Sequence, residues 1–225
     1  MRKNGRTAHK LKKLAWHFSQ PDWADNHGVL LPVKRKLVSP GIAREIYLGD
    51  YEAKEIKIIS KHLVAGEVVF EVGAGRRFLS AYCARRTWAA NVFAYEANPE
   101  LIPLIRGTHA KNDVAPTLIN ALLAKGDGER EFPLENDFCA SSAHRTGGCS
   151  ITVKQFDLNS ERAGAKPSFL IVDVKGDEAA FFAGLVAKGF ALDFSLIRKS
   201  VFFLRMPVFG PPPPSRRGWA GKAVH

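Results

Sequence analysis

Two short apolar segments, each ending at a distinctive turn, constrain the fold more than any other part of the chain. Residues 68–72 stop at Gly73-Ala74-Gly75, and the run Val92–Tyr95 stops at Glu96. An apolar run ending at small residues is typical of a buried parallel strand that feeds a tight turn close to a ligand. A carboxylate about twenty residues beyond the glycines is placed to accept both hydroxyls of an adenosine ribose. The pattern predicts a nucleoside ligand.

Glu71 distinguishes between two common nucleoside cofactors. A dinucleotide places its pyrophosphate at this turn, where a carboxylate just ahead of Gly73 would repel it. S-adenosylmethionine instead carries a sulfonium and an α-ammonium, which an acidic group attracts. The dinucleotide pattern also has a third glycine where this chain has Phe78. We therefore predict S-adenosylmethionine; the alternative is an ordinary βα turn with solvated glutamates.

Length and composition favour one domain. At 225 residues and 24.8 kDa, the chain accommodates a single α/β domain with terminal extensions. It has no apolar stretch near the roughly twenty residues of a membrane-spanning helix, and its charged start lacks the apolar core of a secretion signal, so we expect a cytoplasmic protein. The spacing of Cys83, Cys139 and Cys149 predicts neither a disulfide framework nor a zinc site, and no other metal site is predicted.

The net charge of +11 is concentrated at the two ends of the chain. Residues 1–36 hold nine Lys or Arg against two acids, and residues 194–225 hold six and no acid. The middle holds 18 basic and 20 acidic residues, so it is nearly neutral. A polyanionic partner is therefore not predicted for the domain itself, and nucleic acid is disfavoured.

Residues 1–27 are predicted to form a basic N-terminal extension. Apolar residues with helical spacing lie there among Lys and His residues. They are Leu11, Leu14, Ala15 and Phe18. The spacing predicts a short amphipathic helix that either packs on the domain or makes a weak contact with an anionic membrane surface. Residues 28–66 are predicted to form an N-terminal cap with one or two strands in 28–39 and a helix over 52–62.

Residues 67–207 are predicted to form the main domain, followed by a Pro-rich basic tail over 208–225. Strands are expected at 68–72, 92–95, 117–120, 169–174 and 200–204, with helices from Pro99 to about residue 110 and over 177–188. Residues 129–134 and 150–156 are expected to pair as an inserted β-hairpin. The fold class is α/β, with a mostly parallel sheet, helices on both faces, a small N-terminal cap and that hairpin.

With these segments in order, the chain resembles the FkbM-type S-adenosylmethionine-dependent methyltransferases over about residues 28–204. The resemblance rests on residues 49–55, 70–75, 95–99, 120–121, 139–142 and 171–178. It implies a class I Rossmann-like methyltransferase fold. It also implies transfer of a methyl group to a hydroxyl of a sugar, glycan or small natural product.

The resemblance also assigns residues to roles. Its cofactor positions are Glu71, Gly73, Ala74, Gly75, Glu96, Ala97, Asn98, Asn120 and Ala121. Ser141, Ser142 and Glu178 would face the substrate. A hydroxyl acceptor must lose a proton, so a base is needed near the transfer axis. Asp173, at the carboxyl end of the fourth core strand, is the first candidate for that catalytic base, and His144 is the second.

Two alternatives stay open from the sequence. Arg76 and Arg77 in the glycine turn, and Lys175 in place of the family's glutamate, depart from the family pattern. These departures suggest a member that binds the cofactor but is catalytically impaired. The basic ends suggest instead an RNA methyltransferase that grips phosphate with its tails.

Overall fold

A mostly parallel β-sheet forms the centre of the described part of the chain. The computed structural model describes residues 12–13, 15–16, 18–19, 21–75, 78–134, 150–173 and 202–205. The strands are β1 (Trp23–Asn26), β2 (Val29–Pro32), β3 (Val69–Val72), β4 (Val92–Tyr95), β5 (Thr117–Ile119), β6 (Leu122–Ala124), β7 (Gly128–Pro133), β8 (Ser150–Asp157), β9 (Phe169–Val172) and β10 (Phe202–Arg205). The helices are α1 (Pro40–Leu48), α2 (Ala53–His62), α3 (Leu79–Ala84), α4 (Ile102–Lys111) and α5 (Leu158–Ala165), with 3-10 turns at Ala89–Asn91 and Pro99–Leu101.

The central sheet has the strand order β10-β9-β3-β4-β5. β9, β3, β4 and β5 are parallel, whereas β10 is antiparallel to β9 at the edge. The strands expected at 68–72, 92–95, 117–120, 169–174 and 200–204 are confirmed to within two residues at each end. Because β3 pairs with β4 on one side and with β9 on the other, the strand order reverses at β3. This arrangement is compatible with a Rossmann-like fold.

Both faces of the sheet are covered by hydrophobic cores. Val69 and Ile171 belong to a cluster with residues of the β1–β2 hairpin and of α1, α2 and α3. Their neighbours Phe70 and Leu170 belong to a second cluster, to which α5 contributes Leu158. This alternation follows from the period-2 geometry of strands, and it confirms helices on both faces.

The N-terminal cap consists of the β1–β2 hairpin and helices α1 and α2. The hairpin begins at Trp23, earlier than the strands expected in 28–39, and the helix expected over 52–62 is confirmed as α2. Helix α1 was not predicted, although its start and end carry clear signals in the sequence. Ser39 accepts a hydrogen bond from the Ile42 N–H, Pro40 is the first helical residue, and Gly49 ends the helix in the left-handed region at φ +79°.

The inserted hairpin is confirmed, and it is part of a larger sheet. β7 and β8 pair antiparallel, and β6 adds a parallel strand on the other side of β8. The following helix α5, also missed, begins at Asp157, whose carboxylate accepts hydrogen bonds from the N–H groups of Asn159 and Ser160. The insert therefore brings α5 against the face of the central sheet that carries Phe70.

The helix predicted after Pro99 is confirmed, but its first turn is a 3-10 turn. Asn98 caps this turn as expected, since its Oδ1 accepts a hydrogen bond of 2.9 Å from the Glu100 N–H. Residues 12, 13 and 15 are helical, whereas residues 16 and 18 lie in turns. The other positions of the predicted N-terminal helix, up to residue 18, lie outside the described residues. The helix expected over 177–188 and the Pro-rich tail also lie outside them.

Candidate functional site

Most of the predicted site residues that the structure describes lie at one edge of the central sheet. Residues 73–75 follow β3, residues 96–98 follow β4, Asn120 and Ala121 follow β5, and Asp173 follows β9. These four strands are parallel neighbours, so their carboxyl ends meet at a single edge, which we call the carboxyl edge. Open α/β sheets bind ligands at such an edge where the strand order reverses, and here it reverses at β3.

The glycine turn crosses over the end of β4. The N–H groups of Gly73 and Ala74 donate to the carbonyl oxygen of Tyr95 at 2.9 and 3.0 Å. Gly73 and Gly75 have φ angles of +81° and +56°, a region that residues with a Cβ rarely adopt. The glycines predicted from the sequence are therefore required by the backbone of the turn.

Glu96 joins this turn to the end of β4. Its side chain is buried, with Oε2 accepting from the Gly75 N–H at 2.5 Å and Oε1 accepting from the Asn98 N–H at 2.7 Å. Burial raises the pKa of Glu96, hydrogen bonds from backbone N–H groups oppose that rise, and the charge of Asp173 adds to it. Glu96 and Asp173 therefore lie at the same edge of the sheet, after β4 and β9.

Asn120 supports the segment that carries Glu96. Its side-chain amide donates to the carbonyl oxygens of Glu96 and Ala97 at 2.7 and 3.1 Å. The neighbouring Ala121 is buried at 1% exposure. Asn120 therefore positions the backbone at the end of β4, a role that its place in the sequence does not reveal.

Glu71 is the most deeply buried carboxylate at this edge, with 1% of its surface exposed. It faces the α3 side of the sheet, because its neighbours Phe70 and Val72 belong to the cluster on the other face. Burial raises the pKa of the Cys83 thiol well above its ordinary value, and the charge of Glu71 raises it further. Glu71 thus places its carboxyl group in the layer between β3 and α3.

The N-terminal cap also reaches the glycine turn. A small, largely apolar cleft lies beside Gly75, between the cap and α4. It is lined by Leu31, Pro32, Val38, Ile46, Gly75, Leu104, Ile105 and Thr108. Elements far apart in sequence therefore form the wall next to the turn.

Several other predicted residues lie outside the described part of the chain. They are His144, Ser141, Ser142, Glu178, Arg76, Arg77 and Lys175. The predicted roles of these residues stay predictions.

One contact near the carboxyl edge was not anticipated. The Tyr95 hydroxyl donates to Oε2 of Glu161 at 2.9 Å, and burial raises the Tyr95 pKa, with the charge of Glu161 adding to the rise. This bond ties α5 to the end of β4. The sequence signal for this contact is indirect: Asp157, four positions before Glu161, is a helix-capping residue and marks the start of α5.

Within the described ranges, no group of three or more His, Cys, Asp or Glu side chains is placed to hold a metal ion. None of the helices in these ranges is both long enough and apolar enough to cross a bilayer.

No protein-family model matches the chain, and a search of curated proteins finds no significant relative.

Proposed function

We propose that this chain is an S-adenosylmethionine-dependent methyltransferase that acts on a hydroxyl of a sugar, glycan or small natural product. The observation that carries the proposal is the position of two buried carboxylates, Glu71 and Glu96, beside one glycine turn. In a partly buried site, negative charge stabilises a cationic ligand and destabilises a phosphate. The site therefore favours a sulfonium donor over a dinucleotide.

The residues of the turn are compatible with this donor. Each carboxylate oxygen can accept two hydrogen bonds, so Glu96 retains acceptor capacity for ribose hydroxyls beside its bonds to Gly75 and Asn98. A Cβ placed on Gly75 would meet only the Gly73 carbonyl oxygen within 4 Å, at 3.9 Å. Among the described residues, the space beside the turn is thus open to a ligand.

The chemistry needs little from the protein beyond alignment and removal of a proton. When bound, S-adenosylmethionine supplies a methyl group that its sulfonium already activates. Holding an acceptor oxygen in line with that carbon can lower the barrier by several kcal/mol. We assign Asp173 as the base that takes the acceptor proton. The Asp173 N–H donates to the Val72 carbonyl at 2.9 Å, which holds this residue at the carboxyl edge.

The test is calorimetric titration of the purified full chain with S-adenosylmethionine and with its demethylated product. Glu96→Gln keeps the shape of the side chain but removes its charge, and it is expected to weaken binding of both ligands by roughly 10- to 100-fold, since hydrogen bonds to a charged group are worth about 1.5–3 kcal/mol. The matched control is Glu129→Gln on the exposed strand β7, which should bind as tightly as wild type. Absence of binding to the wild type, or equal affinity in Glu96→Gln, would contradict the proposal.

A further inference from the structure

Two adjacent turns lie at the end of the sheet opposite the carboxyl edge. The first turn, residues 63–68, connects α2 to β3, and the second, residues 85–91, connects α3 to β4. Both turns immediately precede parallel strands, so they sit together at the amino ends of β3 and β4.

Three side-chain hydrogen bonds hold the two turns against each other. The Gly66 N–H donates to Oγ1 of Thr87 at 3.1 Å, and the Thr87 hydroxyl donates to the Glu67 carbonyl at 2.9 Å. The Asn91 amide donates to the Gly66 carbonyl at 3.0 Å. The turns therefore present their exposed side chains as one fixed surface.

Large apolar side chains project from both turns. Trp88 is 61% exposed and Val64 is 55% exposed, and the neighbouring Ala65 and Ala90 are exposed as well. Single exposed apolar residues are common, but an exposed Trp beside an exposed Val on a neighbouring turn forms a patch of the kind that marks an interaction site. The patch consists of two projecting turns, a shape suited to insertion into a soft surface.

Four basic side chains lie in the segments that lead into the apolar parts of the two turns. Lys57 and Lys61 lie on the exposed side of α2, and Arg85 and Arg86 precede Trp88. The Arg86 guanidinium lies 4.2 Å from the centroid of the Tyr82 ring, and Ser60 of α2 also hydrogen-bonds Tyr82, so the ends of α2 and α3 are held side by side.

Glu67 is the one acid in the two turns, and its single negative charge offsets only one of the four cations. The Glu67 carboxylate folds back on its own turn, where Oε2 accepts from the Val64 N–H at 2.7 Å. Since the middle of the chain is nearly neutral as a whole, a group of four cations at one end is a local concentration of positive charge.

We propose that this end of the molecule docks on an anionic lipid bilayer. We call it the turn surface, and it comprises Lys57, Lys61, Val64, Ala65, Arg85, Arg86, Trp88 and Ala90. Trp favours the interface between lipid and water, and Lys and Arg are attracted to anionic headgroups at about 1 kcal/mol each. The bilayer matches both features at once, with acyl chains for the projecting apolar residues and phosphates for the cations around them. The inference is independent of the proposed methyl transfer.

The experiment measures co-sedimentation of the full chain with phosphatidylcholine vesicles, with and without phosphatidylserine, at several salt concentrations. Lys61→Gln combined with Arg85→Gln removes two cations from the turn surface and is expected to weaken binding to the anionic vesicles by about 25-fold. Lys125→Gln combined with Lys154→Gln removes the same charge from exposed positions of the insert. This control should change vesicle binding less than about twofold, because salt screens the attraction between distant charges and the bilayer. Trp88→Ser is expected to weaken binding by about tenfold at high salt as well, because it removes the apolar contribution.

Each outcome decides the proposal. Loss of vesicle binding in the turn-surface variants, with little loss in the control, supports it. Equal losses in the two double variants would assign the binding to overall charge and overturn it. Normal vesicle binding in Trp88→Ser would also overturn the proposal. Binding to single-stranded RNA is measured for comparison. If Lys61→Gln/Arg85→Gln loses RNA binding but still binds vesicles normally, the proposal is overturned as well. Far-UV circular dichroism confirms that the compared variants are folded.

Discussion

Buried polar side chains in this protein form hydrogen bonds with elements that are distant in sequence. Ser80, in α3, and His109, in α4, lie 3.0 Å apart between Oγ and Nε2, and both are buried. Burial lowers the pKa of His109 to about 4, so the imidazole is neutral in the folded protein at physiological pH. The pair fixes α3, which follows the glycine turn, against α4.

This histidine should make stability depend on pH. In the unfolded chain its pKa is near the ordinary 6.5, so the unfolded state binds one proton more than the native state between about pH 6.5 and pH 4. Its contribution is fully present above pH 6.5 and is lost as the pH falls, by up to about 1.4 kcal/mol per pH unit. Urea unfolding at a series of pH values should show a shallower dependence in His109→Gln, which can still hydrogen-bond Ser80. Equal slopes in the two proteins would contradict this assignment.

At the scale of the secondary-structure elements, the side chain of Asn112, the residue after α4, holds the β1–β2 hairpin to the end of that helix. Asn112 accepts a hydrogen bond from the Leu30 N–H at 2.7 Å and donates to the Leu30 and Thr108 carbonyls, both at 2.8 Å. One amide thereby completes the backbone bonding of β2 and ends α4. No local pattern predicts a contact between residues 82 positions apart.

Asn112→Ala is expected to destabilise the protein by about 2–3 kcal/mol, because backbone groups of β2 lose their partner in a part-buried position. Asn112→Asp should cost more, since it places a negative charge beside two carbonyl oxygens. The measurement is the free energy of unfolding in urea. The control is Asn159→Ala in α5, where the buried Oδ1 makes no hydrogen bond within the described residues, and its stability should stay within about 0.5 kcal/mol of wild type.

The central strands were predictable because each is a short, mostly apolar run, whereas β6 was not. β6 has only three residues, and it is stabilised by pairing with β8, about thirty positions later in the chain, which no local propensity encodes. The short helices α1 and α5 were not predicted, although Ser39 and Asp157 are recognisable helix caps.

The same distinction applies to the site. The order of β3, β4, β5 and β9 brings Glu96, Asn120 and Asp173 to one edge, as the positions of these residues after apolar runs predict. Their contacts could not be predicted, because the bond from Gly75 to Glu96 and the bonds from Asn120 to the backbone depend on the packing of neighbouring strands.

At the scale of the whole molecule, strand β9 joins the two hydrophobic cores. Its adjacent residues Leu170 and Ile171 are at most 1% exposed and belong to clusters on opposite faces of the sheet. The cap, with Trp16 and Trp23, packs on the Ile171 side, whereas α5 and the insert pack on the Leu170 side. Because both hydrophobic cores pack on the same hydrogen-bonded sheet, we expect the two layers to unfold together.

Leu170→Ala and Ile171→Ala test that cooperativity. Each is expected to lower the free energy of unfolding by about 2–5 kcal/mol, since each removes a fully buried side chain and leaves a cavity. Circular dichroism reports all helices and strands, whereas tryptophan fluorescence, measured in a background that carries Trp88→Phe and Trp219→Phe, reports Trp16 and Trp23 on the side of the cap. If the layers are one cooperative unit, Leu170→Ala shifts the urea midpoint by the same amount with both probes, although the substitution faces away from the cap. A shift seen by circular dichroism but not by fluorescence would show that the two cores unfold independently. The N-terminal cap would then not stabilise the sheet that carries the carboxyl edge.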